Sequence, residues 1–343
     1  MPKSHKLRQS LSLDPRWTLL FAGITLVLLS GIALCLGRYQ ISFGDLWQVI
    51  ESTGHGSSAN PVISNIIFDL RLPRILAACL IGFALAISGT AYQSIFQNPL
   101  VSPDLLGVSN GAAVGAAVAI LFGLNIVGIQ ISAFLIGLLA VSMTLMIPRA
   151  MKQSSTLTLV LGGIVISGLM QAILGLLKYV ADPDSQLQTI VYWQLGSLSK
   201  VTIGNLVAVL PLMVVGAGVL LIMRWRLTVL SLGDQFAQSQ GINVGLERKL
   251  VILSATILTA GSVCLSGTIG WIGLVVPHMA RLIIGPNTRY ALPLSGLIGA
   301  IFLITVDTLA RTLSAGEIPL SILTGFVGTP IFVYILLTKK VTV

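Results

Sequence analysis

The sequence predicts an all-α integral membrane protein with about ten transmembrane helices, and three observations carry that prediction. Hydrophobic residues make up 55% of the 343, and charged residues only 9%, against about 25% in soluble domains. Apolar runs recur along the chain, most of them near the roughly 20 residues that a helix needs to cross the hydrocarbon core. The basic residues behind the +9 net charge lie between those runs. They do not form the contiguous patch that nucleic acid requires.

The candidate spans are 17–36, 72–96, 105–123, 126–147, 156–177, 203–223, 250–268, 271–284, 291–310 and 318–337. Backbone groups in lipid must be bonded within the segment, so the spans are helices. Lys3, Lys6, Arg8 and Arg16 precede the first run and give it the look of a signal peptide. Its length exceeds the roughly 7–15 residues of a signal-peptide core, and Leu34-Cys35-Leu36 lacks a small-x-small cleavage pattern, so it reads as a retained span. Residues 250–284 are too long for one crossing. Gly267, Gly270 and Gly273 mark a turn there, which leaves the second piece short.

An even number of crossings with both termini in the cytoplasm puts 14 of the 20 Lys and Arg residues inside, among them Arg149, Arg224, Arg226, Arg248, Lys249, Arg281 and Arg289. Arg38, Arg71, Arg74, Lys178, Lys200 and Arg311 fall outside. This bias obeys the positive-inside rule. A weak repeat accompanies it at an offset of 178 residues: Ser88-Gly89-Thr90 with Ser266-Gly267-Thr268, Pro99 with Pro277, and Gly107 with Gly285. In this topology the two copies run in opposite directions, the inverted-repeat construction common in transporters.

The chain reads as one membrane domain over residues 1–343. Its longest polar stretches are 38–69 outside and 224–249 inside, and it has no GxxxxGK[ST] phosphate loop, so any ATP is bound by another chain. Cys35, Cys79 and Cys264 sit in apolar runs as packing residues. His5, His55 and His278 are scattered, which leaves no metal cluster, and His278 reads as structural. Gly107, Gly111 and Gly115, spaced by four, predict close helix packing.

The inside segment 224–249 fits either an interfacial loop or a docking helix for a cytosolic partner. Ser231 or Asp234 would cap a short helix that Gly241 ends, with Phe236 and Ala237 on one side. Within it, Leu232-Gly-Asp-Gln-Phe-Ala-Gln-Ser-Gln-Gly-Ile-Asn243 resembles the coupling segment of FecCD-type permeases, which serve cobalamin and iron-siderophore ABC importers. The resemblance extends over nearly the whole chain. It includes Arg71-Leu-Pro-Arg74, Gln97-Asn-Pro-Leu-Val-Ser-Pro-Asp-Leu-Leu-Gly-Val-Ser-Asn-Gly111 and Trp193-Gln-Leu-Gly-Ser197. It continues through Gly270-Trp-Ile-Gly-Leu-Val-Val-Pro-His-Met-Ala-Arg281, Asp307-Thr-Leu-Ala-Arg311 and Glu317-Ile-Pro-Leu320. Gln235 and Gln240 depart from it, where similar proteins often carry an acid and a leucine.

The resemblance implies a pair of permeases (two copies or a paralogue) in a bacterial inner membrane above two ATPase subunits, which hold ATP and Mg, with no cofactor in this chain. It implies that Leu232, Gly233, Asp234, Gln235, Phe236, Ala237, Gly241 and Ile242 couple to the ATPase. It implies that Arg71, Arg74 and Arg311 meet acidic residues of an extracytoplasmic substrate-binding protein. At outer helix ends their charges would stay hydrated, whereas at mid-membrane each would cost roughly 2.5–3.5 kcal/mol. Lipid anchoring by snorkelling is the alternative, and an i,i+4 pair with Asp307 also accounts for Arg311. Ser155, Thr156 and Leu157 fall where similar permeases narrow a cytoplasmic gate, or Ser155 or Thr156 caps the fifth span. The implied cargo is an iron chelate such as a ferric siderophore, with cobalamin, haem and oxyanions as alternatives. An ion-coupled secondary transporter is the competing class. The span centres lack Asp, Glu, Lys and Arg, which counts against it. A membrane enzyme would need a clustered motif such as HExxH, and none occurs.

Overall fold

The computed structural model describes residues 14–55, 60–151, 156–314 and 316–338, and among them every regular element is helical. The helices are α1 (Pro15–Cys35), α2 (Phe43–His55), α3 (Pro61–Ile95), α4 (Val108–Leu121), α5 (Ile126–Ala150), α6 (Thr156–Val180) and α7 (Gln186–Leu195). They continue with α8 (Ile203–Ile222), α9 (Arg224–Leu230), α10 (Asp234–Ser239), α11 (Val244–Ser266), α12 (Ile272–Ile284), α13 (Thr288–Leu313) and α14 (Leu320–Thr338). Seven of these, α1, α3, α5, α6, α8, α11 and α13, are long and apolar enough to cross a membrane. The helices α4, α12 and α14 are shorter but apolar. Together they fall on the ten runs read from the sequence.

Polar residues set the helix starts. Asp14, Asn60, Asn125, Thr202, Asn243 and Asn287 each accept a hydrogen bond from a backbone N–H of the first turn that follows. These caps satisfy donors that lipid cannot. Near its start α3 contains a π-turn, Ile66–Arg71, where Leu72 N–H bonds to the Ile67 carbonyl. The expected break after α11 is present: Gly267 and Trp271 take φ of 72° and 71°. Gly273 lies inside α12 and plays no part in that break.

The core is built on α3 and α11. From Pro73 onward nearly all of α3 is buried, packed between α11, α12 and α13. Glycines permit the approach. A Cβ on Gly82 would lie 2.3 Å from the Gly299 carbonyl oxygen, and one on Gly89 would lie 1.9 Å from that of Gly273. A second group, α4, α5 and α6, joins the first where α5 meets α11. There Gly111 and Gly115 pack against α5, as their spacing predicts, with Cβ positions 2.6 Å from Ala140 Cβ and 2.3 Å from the Ser132 carbonyl oxygen. Gly107 has a different job: at φ 84° it turns the chain into α4.

Two sequence readings hold only in part. The matched triplets of the repeat occupy unlike positions: Ser88-Gly89-Thr90 is mid-helix in α3, and Ser266-Gly267-Thr268 straddles the end of α11. Pro99 lies in a turn and Pro277 inside α12. Gly107 and Gly285 are alike, at φ 84° and 88° shortly before α4 and α13, so the repeat is matched at that pair and not at the triplets or the prolines. The stretch 38–69, read as polar, contains α2 and the start of α3. Val49 of α2 packs with Ile41, Ile63 and Ile67 in a small apolar cluster of its own.

Candidate functional site

The two groups of residues singled out by the sequence lie at opposite ends of the bundle. Arg71 and Arg74 are at the N-terminal end of the apolar part of α3, and Arg311 is at the C-terminal end of α13. The segment from 224 sits at the other ends of the same helices. Gln97, just past α3, donates to the Leu230 carbonyl (3.4 Å), and Thr228 donates to Asn287 Oδ1 (3.4 Å) at the start of α13.

At the first end the arginines are not hydrated, contrary to the expectation. Arg71, Arg74 and Arg311 are 5%, 7% and 7% exposed, and Asp307 is 1% exposed. Arg74 Nε donates to both Asp307 carboxylate oxygens (2.8 and 3.0 Å), and its Nη1 donates to both oxygens of Glu317 (3.1 and 3.0 Å). Arg311 Nε lies 3.3 Å from Asp307, and its Nη2 donates to the Ala33 carbonyl (3.3 Å) and to Thr308 Oγ1 (3.3 Å). Arg71 donates to the carbonyls of Leu34, Cys35 and Tyr39. Three cations thus face two carboxylates and the open C-terminal carbonyls of α1, a favourable place for positive charge. The i,i+4 pair of Arg311 with Asp307 is present, as part of a cluster joining α1, α3 and α13. The sequence reading missed the bridge from Arg74 to Glu317, 243 positions away. Its visible signal was the scarcity of acids (11 Asp and Glu in all), which leaves few partners for buried arginines.

At the other end α10 stands on a fixed base. Gly233 (φ 115°) precedes it, and no side chain caps its start. Neither Ser231 nor Asp234 is therefore the cap. Ser231 Oγ donates to the Thr228 carbonyl (2.7 Å), and Arg248 Nη2 holds the Asp234 carboxylate (2.8 and 3.1 Å). Gly241 does end the helix. At φ 75° it donates to Gln238 O (2.9 Å) while Ile242 N donates to Ala237 O (3.1 Å), the paired closure of a Schellman turn. Phe236 and Ala237 do not share a face. Ala237 is fully buried, whereas Phe236 and Leu232 are 45% and 64% exposed, because successive helical residues diverge by about 100°. Gln235, Gln240 and Gly241 are exposed, and Ile242 is half-buried. On the base beneath, Arg226 pairs with the buried carboxylate of Glu247.

Of the three residues expected to line a gate, Ser155 lies outside the described residues. Thr156 opens α6 and Leu157 is exposed. They share the end that holds α10: Gly162 packs on the Thr144 carbonyl, and Thr144 Oγ1 donates to Leu106 O (3.0 Å), beyond the end of α3. His278 meets Phe332 edge-on at 6.4 Å. Among the described residues no three His, Cys, Asp or Glu are grouped to hold a metal.

A bundle of long apolar helices, ion-clamped at one end and presenting a short helix at the other, is the body of a multi-pass membrane transport subunit. The comparisons agree, for the FecCD transport family matches residues 24–338 and the chain belongs to it. It is 38% identical over 312 residues to the molybdate import system permease MolB of Haemophilus influenzae, covering 90% of this chain and 93% of that one. It is 38% identical over 338 residues to the hemin transport system permease HmuU of Yersinia pestis, covering 95% and 97%. Similar relatives are named for iron chelatin and for cobalamin. A solved inward-facing structure of a metal-chelate type ABC transporter superposes with a TM-score of 0.86 at 36% identity, covering 94% of this chain and 100% of that one. The chain is accordingly a membrane-embedded permease of the ABC importer class.

Proposed function

We propose that this permease crosses the inner membrane ten times with both termini cytoplasmic, pairs with a second permease, and forms the import path for an iron chelate. Two ATPase subunits, which bind the ATP and Mg, engage it from the cytosol, and a substrate-binding protein engages it from outside. The observation that carries the reading is the exposed pair of Leu232, in the turn before α10, and Phe236 on α10, a helix anchored through Ala237 and the Asp234–Arg248 pair. An apolar knob on a rigid base transmits displacement, which a loop lying on lipid does not. Residues 224–249 form the coupling segment in this account, and residues 155–157 form the cytoplasmic gate.

The arginine cluster acts in two ways. It ties α1, α3 and α13 together, and within it three cations face two carboxylates, a local surplus of one positive charge. An acidic residue of the binding protein is oriented by that local surplus at short range, which sets docking geometry more than affinity. Iron chelate is the cargo assigned because relatives named for iron chelatin and hemin match over nearly the full chain. Molybdate is the second reading, favoured by the equal identity to MolB. Uptake of radiolabelled ferric chelate and of molybdate into vesicles holding the full complex decides between them. ATP-dependent uptake of the chelate supports the assignment. ATP-dependent uptake of molybdate alone refutes the cargo, and uptake driven by an ion gradient without ATP refutes the class.

A further inference from the structure

On the outside of the bundle, α1 and α8 stand apart over α3 and leave a recess of about 490 Å³ floored by α3 and α13. Its walls include Leu26 of α1, Phe83 of α3, Leu206 and Leu210 of α8, and Ala300 of α13. Cys79 contributes a sulfur, 4.0 Å from Ser30 Oγ. The rim at Leu76, Ile203 and Val207 is exposed and runs on into Val214 and Val215, the outward face of α8.

The depth of the recess follows from the elements that line it. Leu26 and Ala300 are at the middles of α1 and α13. Leu76–Phe83 and Ile203–Leu210 lie on the parts of α3 and α8 nearer the arginine cluster. Each of those stretches rises about 10 Å, within the roughly 15 Å of one half of a hydrocarbon core. The recess therefore opens sideways within one leaflet. Water does not fill a carbon-lined space, since a held water needs two to four polar partners. An empty slot forfeits the dispersion contacts of its walls.

We propose that this recess is a binding site for one acyl chain of a phospholipid in the leaflet on the arginine-cluster side. The chain lies between α1 and α8 and completes the packing of α3 against the membrane. The occupant follows from shape, from walls that are apolar apart from the Cys79 sulfur, and from continuity with the lipid-facing surface of a multi-pass permease.

The test uses the full-length protein in phosphatidylethanolamine–phosphatidylglycerol vesicles doped with a phospholipid bearing a diazirine midway along one acyl chain. Photolabelled peptides are mapped by mass spectrometry. Labelling of 76–83 and 203–210 should exceed that of 211–218, the ordinary lipid-facing reference, several-fold. It should fall to the reference level in Cys79→Phe, which fills the floor, and in Val207→Trp, which blocks the mouth from an exposed position and spares the core. Equal labelling of recess and reference in the native protein overturns the proposal, as does labelling that survives in a folded Val207→Trp variant. An Ile203→Cys disulfide between two copies, formed in those vesicles, would also overturn it, by giving the recess to a second protein.

Discussion

Asp307 is the residue on which the ion cluster turns, and Asp307→Ala tests that directly. Its carboxylate is 1% exposed, accepts two hydrogen bonds from Arg74 and lies 3.3 Å from Arg311 Nε. Removing one member of a buried ion pair costs about 3–5 kcal/mol, because the partner's charge stays buried. Some of that loss is recovered: Arg74 keeps Glu317, and Arg311 keeps the Ala33 carbonyl. We therefore expect about 3 kcal/mol, the low end of that range. Glu317→Gln should cost far less, about 0–1 kcal/mol, since its side chain is 35% exposed and its pair with Arg74 is partly hydrated. Combining Arg74→Ala with Asp307→Ala should cost less than the two single losses together, with a coupling of roughly 0.5–3 kcal/mol. The assay is equilibrium unfolding in mixed micelles, followed by tryptophan fluorescence. If Asp307→Ala lies within about 1 kcal/mol of wild type, or Glu317→Gln costs more than Asp307→Ala, the cluster is not the clamp described.

Four further outcomes are expected. Gly89→Ala forces a Cβ to 1.9 Å from the Gly273 carbonyl and should lower stability by at least about 1–3 kcal/mol, whereas Gly168→Ala, with open space around it, should be neutral or stabilising by up to about 1 kcal/mol. Leu232→Ser with Phe236→Ser should abolish co-purification of the ATPase while changing the thermal midpoint little, because both side chains are exposed; retained ATPase excludes α10 as the coupling element. Arg71→Lys keeps the charge but loses bonds to the Leu34, Cys35 and Tyr39 carbonyls, so stability should drop while binding-protein affinity, read by surface plasmon resonance, holds. A membrane-impermeant maleimide should label Ser314→Cys from outside intact cells, and Gln235→Cys only after permeabilisation; the reverse pattern inverts the orientation.

Helix positions were legible because lipid removes the ambiguity that tertiary burial creates in soluble chains: an apolar run near twenty residues has one stable form. The break at 267–271 was legible from glycine. What the sequence hid was direction. Arg71, Arg74 and Arg311 look like surface cations in a string of letters, and only the arrival of Glu317 and the α1 carbonyls turns them inward. The faces of α10 were misjudged because Phe236 and Ala237 are adjacent in sequence but about 100° apart around a helix. The apolar contacts of α2 were invisible because Ile41, Val49, Ile63 and Ile67 are spread over a stretch whose average is polar.

The π-turn in α3 has its own consequence. One surplus residue between Ile66 and Arg71 puts the sequence periodicity of the two stretches out of phase by about 100°. The early stretch turns Ile63 and Ile67 to the patch formed with Ile41 and Val49, while the later stretch aims Arg74 at Asp307. Deleting one residue from 66–70 would let the helix rewind to regular pitch with Ile63 still on its patch and Arg74 still aligned with its carboxylate, because the wide turn absorbs the surplus residue without rotating its flanks. The joint thus tolerates a change of one residue in length while the apolar patch and the ionic seam both stay in place.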